Sequence, residues 1–235
     1  EIVVTASGRD QTKIETSVSV TSIDAQLIQD FQPSSEAEVF KLIPGIQVPG
    51  TSGPGGNSNI AVRGLPVATG GSPFVQLQED GLPTVLFGDI QFGNNDYWTR
   101  FDATTATVEA VRGGSSATLA SQAPGAVINY ISHTGDREGG FVQINRGLDY
   151  NDTRVDFRYG GNLAEGLNFH IGGFLQRGND ILDVDYGINE AIQIKGNLTK
   201  EFDDGASFSA LCGFYARAIV AAGVPCDMLF GPAYK

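Results

Sequence analysis

In residues 154–163, Val155, Phe157, Tyr159, Gly161 and Leu163 alternate with Arg154, Asp156, Arg158 and Asn162, so an extended chain here carries one oily face and one wet face. The same period of two recurs with Val142, Ile144 and Leu148 against Gln143, Asn145 and Asp149, and with Leu167, Phe169, Ile171 and Leu175 against Asn168, His170 and Gln176. It returns with Ile192, Ile194 and Leu198 against Gln193, Lys195, Asn197 and Thr199, and more weakly with Phe208, Ala210, Cys212 and Phe214 against Ser207, Ser209 and Tyr215. The pattern predicts five successive strands. Their connections are short at 149–152, 164–166 and 203–205 and long and polar at 178–190. Membrane barrels have short periplasmic turns and longer external loops, which would put 164–166 and 203–205 on the periplasmic side and 178–190 outside. A soluble antiparallel sheet with one face on a core alternates in the same way, and on periodicity alone both readings stay open. Five strands cannot close a barrel, so the membrane reading requires that more strands follow Lys235 or are missing from this chain. Residues 221–235 show no clean alternation.

Before residue 137 the regularity is different. Residues 17–21 read as a strand, and Asp24 caps the start of a helix running into Leu27 and Ile28. A second helix over residues 36–43 stops at Pro44-Gly45 and runs into the strand Ile46-Gln47-Val48. Turn residues are dense at 49–57. The change of period sets the domain expectation: an N-terminal segment 1–8, a mixed α/β domain 9–136 and strands over 137–235.

Composition narrows the classes. Thirty-one glycines among 235 residues favour turns and close backbone approaches over helix interiors. The net charge of −12, with 14 acidic against 6 basic residues up to Asp136 and 13 against 9 after it, excludes a nucleic-acid surface. No apolar run reaches the roughly 18 residues of a transmembrane helix, so only a closed barrel would let this chain cross a bilayer. No charged-then-apolar leader is present, and a mature or trimmed start is expected. Cys212 and Cys226 are too few for a zinc site or a disulfide framework, which leaves one disulfide or two thiols.

Five short motifs then follow in order. They are Glu1-Ile2-Val3-Val4-Thr5-Ala6; the 36–43 helix with its Pro44-Gly45-Ile46 exit; Asn59-Ile60-Ala61-Val62-Arg63-Gly64-Leu65; Val75-Gln76-Leu77-Gln78-Glu79-Asp80-Gly81-Leu82-Pro83; and Val108-Glu109-Ala110-Val111-Arg112-Gly113, continued by a Gly-rich turn and Gly125-Ala126-Val127-Ile128-Asn129. Together, over about 130 residues, they resemble the TonB-dependent outer-membrane receptors, and an ordered set is far more specific than any one short motif. Gln78-Glu79 stands where the family is usually more apolar, Gly114 where proline is common, and Ala123-Pro124-Gly125 where Gly-Gly is frequent.

The resemblance implies an α+β plug domain followed by antiparallel strands of a transmembrane β-barrel, incomplete in this chain and of about 22 strands in the family. It implies an outer-membrane active transporter of a Gram-negative bacterium, with no cofactor. Ile2, Val3, Val4, Thr5 and Ala6 would be the TonB box, a β-branched strand with no partner in its own chain, suited to joining the sheet of another protein. Taken alone, the same residues read as an ordinary first strand. The implied partners are TonB with its ExbB-ExbD energising complex, the imported ligand, outer-membrane lipid and an accessory surface lipoprotein. Arg63 and Arg112 match the two plug arginines that lock onto barrel glutamates, a task suited to a permanently charged, bidentate donor. The outward plug loops, which contact ligand in the family, match residues 48–57 and 87–98, with Asn57, Phe92, Asn94, Asn95, Asp96, Tyr97 and Trp98 as the candidate contacts. Aromatics beside Asn and Asp suit a polyhydroxylated ligand and lean towards a glycan over a metal chelate or siderophore, although Tyr97 and Trp98 serve equally well as internal anchors.

No catalytic constellation and no metal-ligand spacing is present. His133 and His170 fall in different modules, and the acidic pair Asp203-Asp204 sits in a turn. The rival readings are a secreted β-rich adhesin or carbohydrate-binding protein and a passive porin. Neither requires the two Arg-Gly motifs in this order.

Overall fold

The computed structural model describes residues 3–4, 11–12, 19–33, 36–48, 60–65, 74–84, 100–114, 116, 120, 123–149, 151–179, 189–202, 206–219 and 231–234. Its chain falls into two units, residues 1–101 with 105–132, and residues 102–104 with 133–235.

The first unit begins with β1 (Val3–Val4) and β2 (Gln11–Thr12), a two-stranded antiparallel ladder. Here the expectation of a partnerless N-terminal strand is corrected, because Val3 stands opposite Thr12 and Val4 opposite Gln11. The reason is local, since an extended segment finds hydrogen-bond partners in the nearest extended stretch, but two residues a side make a marginal ladder. Next come β3 (Val20–Asp24), α1 (Ala25–Phe31) and α2 (Glu36–Lys41). Asp24 caps α1 as expected, its carboxylate accepting from the Leu27 amide at 2.8 Å, and Gln32 in the left-handed region closes the other end. Helix α2 is shorter than its sequence pattern predicts. The Leu42 and Ile43 amides turn back to Val39 and Phe40, three residues earlier, and tighten the exit into Pro44-Gly45.

The remaining elements of this unit are β4 (Ile46–Gln47), β5 (Ala61–Val62), β6 (Val75–Glu79), β7 (Leu82–Pro83), β8 (Thr105–Arg112) and β9 (Ala126–Ser132). Strands β4 and β5 pair with each other, and the main sheet runs β3-β8-β9-β6-β7. Between β6 and β7, Asp80 (φ 49°) and Gly81 (φ 82°) form a two-residue turn with both dihedrals positive, the type I′ geometry that matches strand twist. The Asn129 side chain accepts from the Gly81 amide at 2.9 Å, and Asp80 accepts from the Ser132 amide at 2.8 Å. The Asp-Gly and Val-Ile-Asn motifs are therefore two halves of one turn-locking contact. Gln78, where a more apolar residue is usual, donates to Gln76 at 2.8 Å and so satisfies one buried amide with another. The core gathers Ile23, Phe40, Leu77, Val108 and Ile128, with Phe40 stacked on Tyr130 at 6.4 Å.

The second unit is an antiparallel meander of β10 (Gly139–Arg146), β11 (Asp152–Ala164), β12 (Leu167–Gly178), β13 (Asn189–Glu201), β14 (Ser207–Ile219) and β15 (Gly231–Tyr234). The alternation predicts the first five strands. The sixth, four residues containing Gly and Pro, has no periodicity to betray it. Strands β11 and β12 join through the two-residue turn Glu165-Gly166, whereas residues 179–188 separate β12 from β13. On one face stand Val142 (70% exposed), Ile144 (68%), Ile171 and Leu175, and on the other Arg154 (3%), His170 (3%) and Gln193 (0%). The apolar face is the open one and the polar face the buried one. A soluble sheet resting on a hydrophobic core would show the reverse, so this decides between the two readings that periodicity left open.

On the polar face Arg154 grips Asp156 with two parallel bonds of 2.9 and 2.8 Å and lies 4.0 Å over the Phe174 ring. Among the described residues no helix is long and apolar enough to cross a membrane, which leaves crossing by strands untouched.

Replacing Ile171 by Arg places a charge in the middle of the open apolar face, at a cost of roughly 2–4 kcal/mol if that face meets lipid. The folded, heat-modifiable fraction of the full-length protein in isolated outer membranes is expected to drop sharply for Ile171→Arg and to stay near the parental value for Ile171→Val. Equal yields would speak against a lipid-facing surface.

Candidate functional site

Two positively charged turns meet in the first unit. Arg63 and Gly64 follow β5 with φ values of 49° and 80°, and the Leu65 amide closes the turn on the Val62 carbonyl at 2.9 Å. Such a turn requires two residues in the left-handed region, which explains the glycine but not the arginine. Arg63 remains in this costlier conformation because its amide donates to the Gly45 carbonyl at 2.9 Å and its Nη2 to the Ser19 hydroxyl at 3.1 Å. Arg112 ends β8, and its amide donates to the Ser19 carbonyl at 3.1 Å. Its Nη1 donates to the Pro44 carbonyl and its Nη2 to the Thr21 hydroxyl at 2.7 Å. Ser19 thus serves both arginines, one through its side chain and the other through its backbone.

Gly113 (φ 90°) follows, and a Cβ there would lie 2.9 Å from the Arg63 Nη1. The second Arg-Gly glycine is what allows the first arginine to pass. Burial lowers the Arg112 pKa, and the nearby Arg63 cation lowers it further. A lysine in that place would be prone to lose its proton, whereas a guanidinium keeps its charge. No carboxylate among the described residues pairs with either arginine, and the Arg112 Nε is buried without a hydrogen-bond partner. The arrangement is two like charges held together by neutral oxygens, ready for a bidentate anion.

Of the expected TonB box, Val3 and Val4 lie in β1, while Ile2, Thr5 and Ala6 fall outside the described residues. The expected ligand contacts Asn57, Phe92, Asn94, Asn95, Asp96, Tyr97 and Trp98 fall outside them as well. No cluster of three or more His, Cys, Asp or Glu among the described residues could hold a metal. Cys212 is an exposed free thiol, and Cys226 is not among the described residues.

Sequence reasoning missed two buried polar clusters. Glu36, at the start of α2, accepts from the Phe101 amide at 2.5 Å and lies 3.6 Å from the Arg100 guanidinium. In the second unit Asp102 accepts from the Thr104 amide at 2.8 Å and from the Gln193 side chain, with the Lys195 ammonium 4.0 Å away. Only the Asp-x-Thr spacing hinted at the local part of this contact, because its β13 partners lie some ninety residues on. The two histidines, expected in different modules, both belong to the second unit, their ring centroids 5.2 Å apart and their planes tilted by 34°. His133 is pushed down to about 4 by burial first, then by the Arg158 cation and His170, against an opposing pull from Asp136.

The family model for the TonB-dependent receptor plug domain matches residues 12–127, which takes in both Arg-Gly turns. The chain belongs to the TonB-dependent receptors. Along most of its length it is similar to a curated member, the vitamin B12 transporter BtuB of Vibrio vulnificus, 30% identical over 226 residues that make up 91% of this chain and 35% of the transporter. A solved structure, the ferripyoverdine receptor of the outer membrane of Pseudomonas aeruginosa, shares the fold with a TM-score of 0.73 at 21% identity, covering 92% of this chain and 27% of that receptor. The chain therefore spans about a third of the lengths of these TonB-dependent receptors. A stretch of 34 residues, 14% of the chain, is 65% identical to orotate phosphoribosyltransferase of Bordetella parapertussis and covers 15% of that enzyme, too little to carry its fold or its site.

Gly113→Ala is expected to destabilise the receptor by about 1–2 kcal/mol from its backbone conformation, with the Arg63 clash added. Gly64→Ala meets the same backbone strain with no atom within 4 Å, so the excess loss at Gly113 in urea unfolding measures the crowding of Arg63.

Acid dependence offers a second check. With a folded pKa near 4 against an ordinary value of 6.5, His133 contributes stability in full above about pH 6.5 that is lost progressively as pH falls towards 4. His133→Gln is expected to flatten that part of the stability profile, and an unchanged slope between pH 7 and 4 would show that His133 is not the group responsible.

Proposed function

We propose that this chain is part of an energised importer in the outer membrane of a Gram-negative bacterium, which binds a scarce ligand outside the cell and admits it when TonB pulls on the plug. The observation that carries this reading is the order of its parts: a plug domain with both Arg-Gly turns, followed by antiparallel strands whose apolar face is open. An outer-membrane barrel has no ATP and no ion gradient to draw on, so the work must arrive mechanically through a segment that another protein can grip. Val3 and Val4 suit that role. Their pairing with β2 is only two residues long and leaves an edge at which a strand can be added.

Arg63 and Arg112 are the plug's half of a lock. A buried Arg112 and an exposed Arg63 beside it, without a carboxylate, favour being met by glutamates of the wall, and withdrawing those glutamates would free the plug. The ligand we infer is a metal chelate rather than a glycan. Supporting this are the names of two similar proteins, one a transporter of vitamin B12 and the other a receptor of ferripyoverdine, both of which are metal chelates. The aromatic and amide residues Phe92, Asn94, Asn95, Asp96, Tyr97 and Trp98, with Asn57, remain the proposed contacts, since ring faces stack on a chelate's flat aromatic groups as readily as on a sugar.

Val4→Pro removes a backbone donor and fixes φ where the TonB strand would pair. In cells carrying the full-length receptor, energised uptake of the radiolabelled chelate is expected to fall to background while binding to the cell surface stays at the parental level. Uptake at the parental rate would remove residues 2–6 from the energising role. Loss of surface binding as well would point to a folding defect in the plug.

A further inference from the structure

The open apolar face of the strands is capped at one end by charge. Arg146 stands opposite Thr153, Thr153 opposite Arg177, and Arg177 opposite Glu190, so one row crosses β10, β11, β12 and β13. The next row on the same face is Ile144, Val155, Leu175 and Ile192, all apolar. Neighbouring strands lie about 4.8 Å apart, which sets the two arginine backbones about 10 Å apart with only Thr153 between them. Arg146 donates to the Thr153 hydroxyl. The Arg177 Nε lies 3.1 Å from a Glu190 carboxylate oxygen, while its side chain is 84% exposed. A cavity of about 720 Å³ opens here, with Arg146, Thr153, Val155, Leu175, Arg177 and Asn179 in its lining.

The row's depth matters as much as its charge. From Leu167, beside the two-residue turn, to Arg177, beside the long connection, β12 runs roughly 33 Å along the strand, or about 25 Å along the membrane normal at the usual tilt. That is the height of the apolar band of an outer-membrane barrel, whose short turns face the periplasm. The arginines therefore stand where the outer leaflet's headgroups begin.

We infer that Arg146 and Arg177 bind the phosphate of an outer-leaflet lipid, whose acyl chains lie along Val155 and Leu175. Guanidinium groups match phosphate oxygens with paired bonds, and two cations against the single Glu190 carboxylate leave the row positive. The apolar row immediately beneath distinguishes a lipid from free phosphate, because it offers burial to chains that an inorganic ion does not have. The inference rests on the membrane-barrel reading of these strands.

The test uses full-length receptor extracted from outer membranes in detergent and examined by native mass spectrometry with three probes: diphosphoryl lipid A, the same lipid with both phosphates removed, and inorganic phosphate. The parental receptor is expected to hold diphosphoryl lipid A about tenfold more tightly than the Arg146→Ala/Arg177→Ala variant, with the dephosphorylated lipid and inorganic phosphate bound far more weakly. Glu190→Gln, which removes the competing carboxylate, is expected to tighten the lipid, a gain that misfolding cannot produce. Equal retention by the parental and double-variant receptors, equal retention of the two lipids, inorganic phosphate held as well as lipid, or no tightening in Glu190→Gln would each overturn the site. A protein that never reaches the outer membrane would overturn the barrel reading itself, whereas one that does and shows no preference for the phosphorylated lipid overturns only the lipid site.

Discussion

Every backbone amide and carbonyl that leaves water must find a partner, and in lipid it must find one in the same chain. The strands from Gly139 to Glu201 meet this demand by pairing each with the next, with one register shift between Asn162 and Ala164. Because the side-chain period is two, that register carries apolar residues to one face and polar residues to the other along all four strands. A slip of β11 by one residue against β10 and β12 would turn Arg154 and Asp156 outwards and Val155 inwards. Backbone pairing thus comes first, and the sorting of side chains between the open and buried faces follows from it.

The buried polar face carries its own requirement. Arg154, Asp156, His170, Gln193 and Lys195 are each largely withdrawn from water, and such groups stay charged or polar only when their partners are in place. Arg154 meets Asp156 within its own strand, and Gln193 and Lys195 converge on Asp102, which comes from residues 102–104 far earlier in the chain. The chain therefore commits three residues upstream of β8 to the second unit while the sheet on either side of them belongs to the first. His133, where the chain passes into the second unit for good, receives the Asn197 side chain on its carbonyl at 2.5 Å and is held neutral by burial.

In the plug a different economy applies. Arg63 and Arg112 repel each other and are held by oxygens that carry no full charge: the Ser19 and Thr21 hydroxyls and the Pro44 carbonyl. A carboxylate there would instead neutralise the pair within the plug itself. Keeping two arginines together with neutral partners leaves their charge unneutralised among the described residues, as the lock proposed above requires.

The succession of Arg-Gly, Asp-Gly-Leu-Pro and Val-Ile-Asn, and the alternation after residue 137, were legible in sequence because each reports a local rule: positive dihedrals need glycine, and strands repeat every two residues. The Asp24 cap was legible for the same reason. Whether the oily face met lipid or a protein core was not, because periodicity records that two faces differ and is silent about which one is buried; the exposure of Val142 and Ile144 decided it. Nor could local rules find Ser19 serving both arginines, Asn129 closing the Asp80-Gly81 turn, or Asp102 meeting Gln193, since those partners are separated by about forty to ninety residues and are brought together only when strands from distant parts of the chain pair. The short β1–β2 ladder escaped notice for the opposite reason: two residues a side are too few to leave a period, and only the folded backbone shows that they meet.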